Sequence, residues 1–421
     1  MSLTAVKFRK MLQKLVTRLY GCVRSVCRGI WKTKYDWLAI ATVTFIISTV
    51  WSPRFPDPKN LYGNNSDDDF ISIDYLQSIR GAMEEPVESG YISIVDIGDV
   101  TSRRRIAEVL DSIYNLDPRC IGVDLDFSAE QEPFTDSILS ATISRIKDKT
   151  VFVNQLYGYD DTIGVFTRLH RSYFSDGRSG YLSASNLKEG FANLKNNGTS
   201  EMVSRYSMAE RLNDSICLSL PARMVDDPDV VDMHDHYISY YPTVFNIVNH
   251  DEVTEEDIAG SFVLVGAIGH SGDKYNTPLG LMPGVMIHAY ILQTIVEGSE
   301  VMEMSAWLDV IMTFLTVVVF VMILVGLDYF INHTRHHTAS LIVQTGFLTF
   351  GLTYLTALAL GLLSYYLFTE HNVYASMHGV INSLLIVASI VKVVYSTAII
   401  IASRYGVCRK LVFHSSYSSY P

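Results

Sequence analysis

Acidic residues are missing from the first 34 positions, which hold nine Lys/Arg and no Asp or Glu. Basic residues are scarce where acids are plentiful: residues 52–305 carry 19 Lys/Arg against 40 Asp/Glu, a balance of −21. A charged fraction of 18% with slightly positive mean hydropathy is not that of a nucleic-acid-coating protein, and no nucleic-acid partner is expected. Charge of either sign is thin in the last 116 residues, which are mostly hydrocarbon. Cysteine is rare, five in 421 residues, with no CxxC or Cys-His spacing, so no zinc site is specified. There is no Walker sequence, dinucleotide fingerprint or kinase signature, and no cofactor is expected. With 48% apolar and 18% charged residues the chain is not mainly disordered. What remains is a membrane protein with a basic tail, an acidic globule and a greasy end.

Residues 37–51 form an apolar run bracketed by Lys32, Lys34 and Asp36 on one side and Arg54 on the other. It is short for a bilayer core of roughly 30 Å, so Lys34 is expected to snorkel. A cleaved signal peptide is the rival reading. The basic segment before the run is too long for one and no A-x-A-like site follows, which favours an uncleaved anchor at 35–51. Three further spans are expected at 306–331, 341–368 and 374–402, each exceeding the roughly 20 residues a crossing helix needs. Basic flanks fix the orientation: the 1–34 segment, Arg335, Arg404, Arg409 and Lys410 all fall inside if four spans cross. Residues 52–305 are then extracytoplasmic, and both termini, including the 403–421 tail, lie in the cytoplasm. The expected location is a bacterial-type inner (cytoplasmic) membrane.

Within 1–34, Phe8, Leu12, Leu15 and Leu19 share a helical face opposite Lys7, Lys10, Lys14 and Arg18. That suits a basic amphipathic helix on anionic membrane lipids, or a topology signal with incidental periodicity. Asp309 and Asp328 sit near the ends of the second span, and Lys392 is close enough to the inner face to snorkel.

In the acidic region, YISIVDI (91–97) and CIGVDLDF (120–127) are β-rich runs around a helix over 102–114 that buries Ile106, Leu110 and Ile113. A helix over 134–146 with Phe134, Ile138, Ile143 and Ile146 inward leads to a strand at 151–156. FVLVGAI (262–268) reads as another buried strand, and Pro283 opens a helix that Gly298 stops. Repeated β-then-α order with continuous apolar strands predicts an α/β domain with a mostly parallel sheet, carried on an α-helical membrane bundle.

These motifs resemble a known family. A strand with VDIGD, a helix, then IGVDLDFS looks like the opening of the CHASE type 2 domain, a cyclase/histidine-kinase-associated extracellular sensor. FVLVGAIGHSGDKYNTPLGLMPGVMIHAYILQTIVEG resembles its VGA…D…TPlg…mpGv.iHA segment nearly position by position, and EGFANLKNNGTSEMVSRYS its weaker middle segment. The likeness covers about residues 70–300, and three closing spans are also what the family shows. Two departures stand out: the turn before the first helix is shortened to 101–105, and only residues 403–421 follow the last span. Members with this build carry a kinase, cyclase or phosphatase there, so the resemblance implies an output in a separate protein partner. Family analogy also implies a homodimer.

Ligands of open α/β sheets bind outside the carboxyl ends of the strands. Asp96 and Asp99 end the first strand, Asp124 and Asp126 the second and Asn154 the third, and His270 and Asp273 follow the last. This rim suits a small molecule, a hard cation or a cationic ligand. Equally, Asp99 caps a helix, Asp124 and Asp126 bind loop amides, and no ligand exists. GHSGD (269–273) lacks the second glycine of a nucleophile elbow, and Asp273 with Thr277 reads as a loop lock. His288 reads as a core histidine, His234 and His236 as parts of a solvated acidic loop, and Cys120 as an inert thiol. The expectation is a non-catalytic membrane sensor. A ligand-free envelope scaffold or complex subunit is the alternative, and a metal-dependent ectodomain enzyme the third reading.

Overall fold

The computed structural model describes residues 73–333 and 347–375, apart from 128, 173, 175–186, 197–201, 230 and 270–272, together with scattered positions in 17–46 and 380–387. Two compact units emerge. One comprises Ser72–Met302 with Phe368–Val373; the other comprises Met1–Ile71, Glu303–Leu367 and Tyr374–Pro421.

The first unit is α/β. It begins α1 (Ile73–Met83), β1 (Val87–Asp96), α2 (Arg103–Asn115), β2 (Cys120–Val123), α3 (Pro133–Ile146) and β3 (Thr150–Asp160). Short strands follow: β4 (Val165–His170), β5 (Lys188–Phe191), β6 (Lys195–Asn196), β7 (Val203–Ser207), β8 (Ala209–Leu212) and β9 (Ser215–Leu218). Then come α4 (Leu220–Val225), β10 (Asp235–Tyr237), β11 (Thr243–Asn249), α5 (Glu255–Ile258) and β12 (Phe262–Gly266). The hairpin of β13 (Lys274–Thr277) and β14 (Gly280–Pro283) leads into α6 (Gly284–Glu297).

The central sheet runs β11–β1–β12–β2–β3–β4–β8–β9, with β5 also on β3. Its β11, β1, β12, β2, β3 and β5 are parallel, as the apolar stretches in β1, β2, β3 and β12 predict. Alternation divides each strand between two cores. Ile92, Ile94 and Leu264 join Leu220 and Met224 of α4 and Ile287 and Ile291 of α6 on one face. Val95, Ile121, Val123 and Val265 join Ile106 and Leu110 of α2 and Leu139 and Ile143 of α3 on the other. α6 is buried from Gly284 to Ile295 and apolar nearly all round, the composition of a core helix.

The α/β expectation and its three principal helices hold. Two boundaries shift, and one side chain turns out. β2 stops at Val123, so Asp124 and Asp126 lie beyond the ladder. β3 runs on to Asp160 because its far half pairs antiparallel with β4. Phe134 is exposed rather than inward: the buried stripe of α3 is offset to Asp136, Leu139 and Ser140 because Asp136 turns in to meet Arg103.

Glycine is required where β5 meets α4. A Cβ on Gly190 would lie 2.7 Å from the Cα and 2.8 Å from the N of Leu220, both backbone atoms. Backbone cannot swing aside as a side chain can, so Gly190→Ala should cost at least the roughly 1–3 kcal/mol of overpacking. A urea midpoint lowered at unchanged slope would verify this; an unchanged midpoint would show that the strand and helix can part.

The helical unit holds α7 (Ala306–His333) and most of α8 (Phe347–His371). Among the described residues these are the two helices long and apolar enough to cross a bilayer, through Trp307–Leu327 and Phe350–His371. Val317, Phe320 and Val321 of α7 share an apolar cluster with Ile40, Ala41, Val380, Leu384 and Val387, flanked by Leu352 and Leu360. Val373–Tyr374 is a short strand, so no helix begins at 374. Most of 35–51 and 374–402, with Lys392, the first 16 residues and the 403–421 tail, lies outside the described residues.

Candidate functional site

The seven rim residues do not form one cluster. Asp96 is spent on the fold: its Oδ1 accepts from the N–H groups of Gly98 at 2.9 Å and Ile268 at 3.0 Å. Its carbonyl accepts from the His250 N–H at 3.1 Å. One residue thus ties three loops, two through its carboxylate and one through its carbonyl. Asp99 is exposed in the turn after Gly98. Asp126 is also exposed, at the mouth of a cavity of about 200 Å³ lined by Val100, Thr101, Arg103, Phe127 and Gln131. That is below the roughly 300–1,000 Å³ of small-molecule pockets. Its one cation, Arg103, is already committed to Asp136 and to the Ala129 carbonyl. Asn154 is buried with its Oδ1 unbonded, on the sheet face it shares by alternation with Phe152. His270 lies outside the described residues.

Asp124 and Asp273 act on one another electrostatically. β2 aims Asp124 to the α6 side, one step past Val123, with its N–H held by the Val265 carbonyl at 2.9 Å. Asp273 sits at the start of α6: its carbonyl accepts from the Gly284 N–H at 3.2 Å, and a Cβ on Gly284 would lie 2.7 Å from its Oδ2. Only glycine lets that carboxylate approach the helix N-terminus, where the helix dipole favours negative charge. Tyr275 donates its hydroxyl to Asp273, and burial, then the Asp273 charge, pushes the phenol up to about 12.

The electrostatics are those of a site short of positive charge. Burial, reinforced by the negative charge of Asp273, pushes the Asp124 carboxyl up to about 7. His288, on α6, supplies no cation: it is 3% exposed with Nδ1 unbonded, and burial lowers its pKa to about 4 against the pull of Asp273. Asp124 can take up a proton near neutrality, and the two carboxylates offer a cation two acceptors. No group of three or more metal-ligating side chains occurs among the described residues.

The loop-lock reading of Asp273 agrees with this geometry, and His288 is a core histidine, as read. Tyr275 was missed; nothing in a strand-like KYNT marks its hydroxyl as a partner of Asp273. His236 departs from the solvated-loop reading. It is held between Asp232 at 2.7 Å and Glu300 at 2.9 Å, and these two raise its pKa to about 9 although burial opposes the charge. Cys120 and Cys217 are both free, and burial raises the Cys120 thiol to about 11.

The mostly parallel α/β unit is continuous in sequence with two helices long and apolar enough to cross a membrane. The chain belongs to the CHASE2 family: the model of the CHASE2 domain matches residues 66–327, through the α/β unit and into the first apolar helix. That family comprises extracellular sensory domains. No curated protein and no solved structure matches the chain.

Proposed function

We propose that the chain is a non-catalytic, multi-pass inner-membrane sensor. Its outer CHASE2 unit detects an extracytoplasmic proton, cation or cationic small molecule at Asp124 and Asp273, and passes the change through its membrane helices to a separate partner. Four spans, with both termini inside and the acidic 52–305 region outside, are part of this reading, and the basic flanks support it. The observation that carries the reading is the Asp124–Asp273 pair: two carboxylates that act on one another with His288 kept neutral, in a family of sensory domains. A group balanced between two charge states near neutral pH is the kind of element a signal can bias.

The test uses the full chain in nanodiscs. Unfolding of the α/β unit is followed against calcium, magnesium, putrescine and cell-wall muropeptides, and across pH. A probe at 100 times its Kd adds about 2.7 kcal/mol, an easily visible shift. A saturable shift that Asp124→Asn abolishes supports the sensor. No shift with any probe or with pH, beside stoichiometric copurification with a membrane complex, would replace it with the scaffold reading.

A further inference from the structure

The turn that follows α8 belongs to the α/β unit, not to the helical one: Phe368–Val373 clusters with Ser72–Met302. Its anchor is Arg80, in the last turn of α1. The side chain is only 1% exposed, and its guanidinium stacks on Phe368, 4.5 Å from the ring centroid, and lies 5.5 Å from that of Tyr241. Nη1 donates to the Asn372 Oδ1 at 3.4 Å and Nη2 to the Ser239 Oγ at 3.4 Å. Asn372 is itself built into the turn. It takes φ of +50°, its N–H donates to the Phe368 carbonyl at 3.2 Å, and its carbonyl accepts from the Met302 N–H at 2.8 Å.

Met302 stands four residues before α7 begins at Ala306. α1 is the first described element after the N-terminal apolar segment, and it is fastened to the domain by Gln77 Nε2 on the Ile238 carbonyl at 2.7 Å and Ser78 Oγ on the Pro278 carbonyl at 2.8 Å. Two passages that lead to apolar segments, α1 and the α8 turn, therefore meet at one buried guanidinium, and a third, at Met302, bonds the backbone of that turn. A planar cation that stacks and bonds through its two ends suits such a junction; a lysine ammonium has neither the plane nor the fork. Burying it on a turn between two helices is costly unless the turn is held in one place, since loss of the turn would strand the charge.

We propose that Arg80 and Asn372 form a latch that makes the α8 turn and the lead-in to α7 move with α1 as one cooperative element. The latch supplies the transmission step that the sensor reading requires, but it operates in the signal-free protein. A displacement of α1 then shifts the ends of both helices together, and the coupling is reciprocal.

The experiment is native-state amide hydrogen exchange on the full chain in nanodiscs, with no probe added. Arg80→Met keeps the apolar stem and removes the fork; Asn372→Gly removes the acceptor and tolerates the positive φ. With the latch, Arg80→Met raises exchange at Asn372 and Met302 at least tenfold, and Asn372→Gly does the same for Glu84, whose N–H closes the last turn on the Arg80 carbonyl. The amides of Val263 and Val265 in β12 stay protected in both. Should Arg80→Met fail to fold, Asn372→Gly carries the test alone. If each variant loosens only its own segment, or β12 loosens in step with the turn, the latch is overturned. The sensor reading survives that result, and the latch survives a flat probe panel.

Discussion

Asp136→Ala should destabilise the α/β unit by about 3–5 kcal/mol, the range for removing one partner of a buried ion pair. Asp136 is fully buried and Arg103, its partner, is 3% exposed. The carboxylate has two duties: Oδ1 takes the Arg103 guanidinium, and Oδ2 accepts from the Gln131 N–H at 3.0 Å. Arg103 also donates to the Ala129 carbonyl and stacks over Phe174, 5.2 Å from the centroid. Removing the carboxylate leaves a cation inside the core between α2 and α3 and frees the loop that leads into α3. The loss should appear as a lower urea midpoint for the α/β unit of the full chain. Arg103→Met combined with Asp136→Leu should recover much of it, because an apolar pair of similar volume avoids the desolvation cost. A single variant within about 1 kcal/mol of the parent chain would mean that water reaches Arg103, contrary to its burial.

That pair also shows where the sequence stopped being legible. Arg103 and Asp136 stand 33 positions apart on two helices whose charges look like ordinary solvent-facing ones. Nothing local marks either as buried, and the expected inward Phe134 followed from assuming that only apolar side chains face a core. The parallel core was readable because β1, β3 and β12 are continuous apolar runs with helices between them. β11 and the antiparallel additions β4, β8 and β9 were not, because half-buried short strands mix polar and apolar residues without a clear period. At the rim, position at strand ends was readable and association was not. Which carboxylates act on one another depends on sheet face, and one step of alternation sends Asp124 to the α6 side and Asn154 to the other. The histidine in the helix was legible as a core residue, but its neutrality beside Asp273 is a property of packing.

Asp124→Asn is expected to stabilise the chain at pH 8 and to change the shape of its pH profile. In the fold the Asp124 carboxyl titrates near 7, whereas in the unfolded chain it does so near the ordinary value of 3.8. Between those values the native state holds the extra proton, so this group's contribution is fully present at low pH and is lost as pH rises through about 7. The full linkage is about 4 kcal/mol, and Asp124 keeps some solvent contact, so on the order of 2–4 kcal/mol is expected. His288 acts in the opposite sense. Its folded pKa near 4 lies below the ordinary 6.5, so stability is lost as pH falls from 6.5 to 4, by about 3 kcal/mol.

The two slopes nearly cancel between pH 4 and 6.5, and single variants should separate them. Asp124→Asn should leave a chain that weakens on acidification below 6.5, and His288→Gln one that weakens as pH rises from 4 to 7. Chemical denaturation of the full chain in nanodiscs at half-unit pH intervals reads both. Identical profiles for Asp124→Asn and the parent chain from pH 5 to 8 would show that Asp124 is ionised throughout and that the pair with Asp273 is compensated. Opposed slopes would place a proton-dependent element at the start of α6, a helix packed along the same sheet face as α4 and continuing through Glu297 to Met302, the residue that bonds the α8 turn.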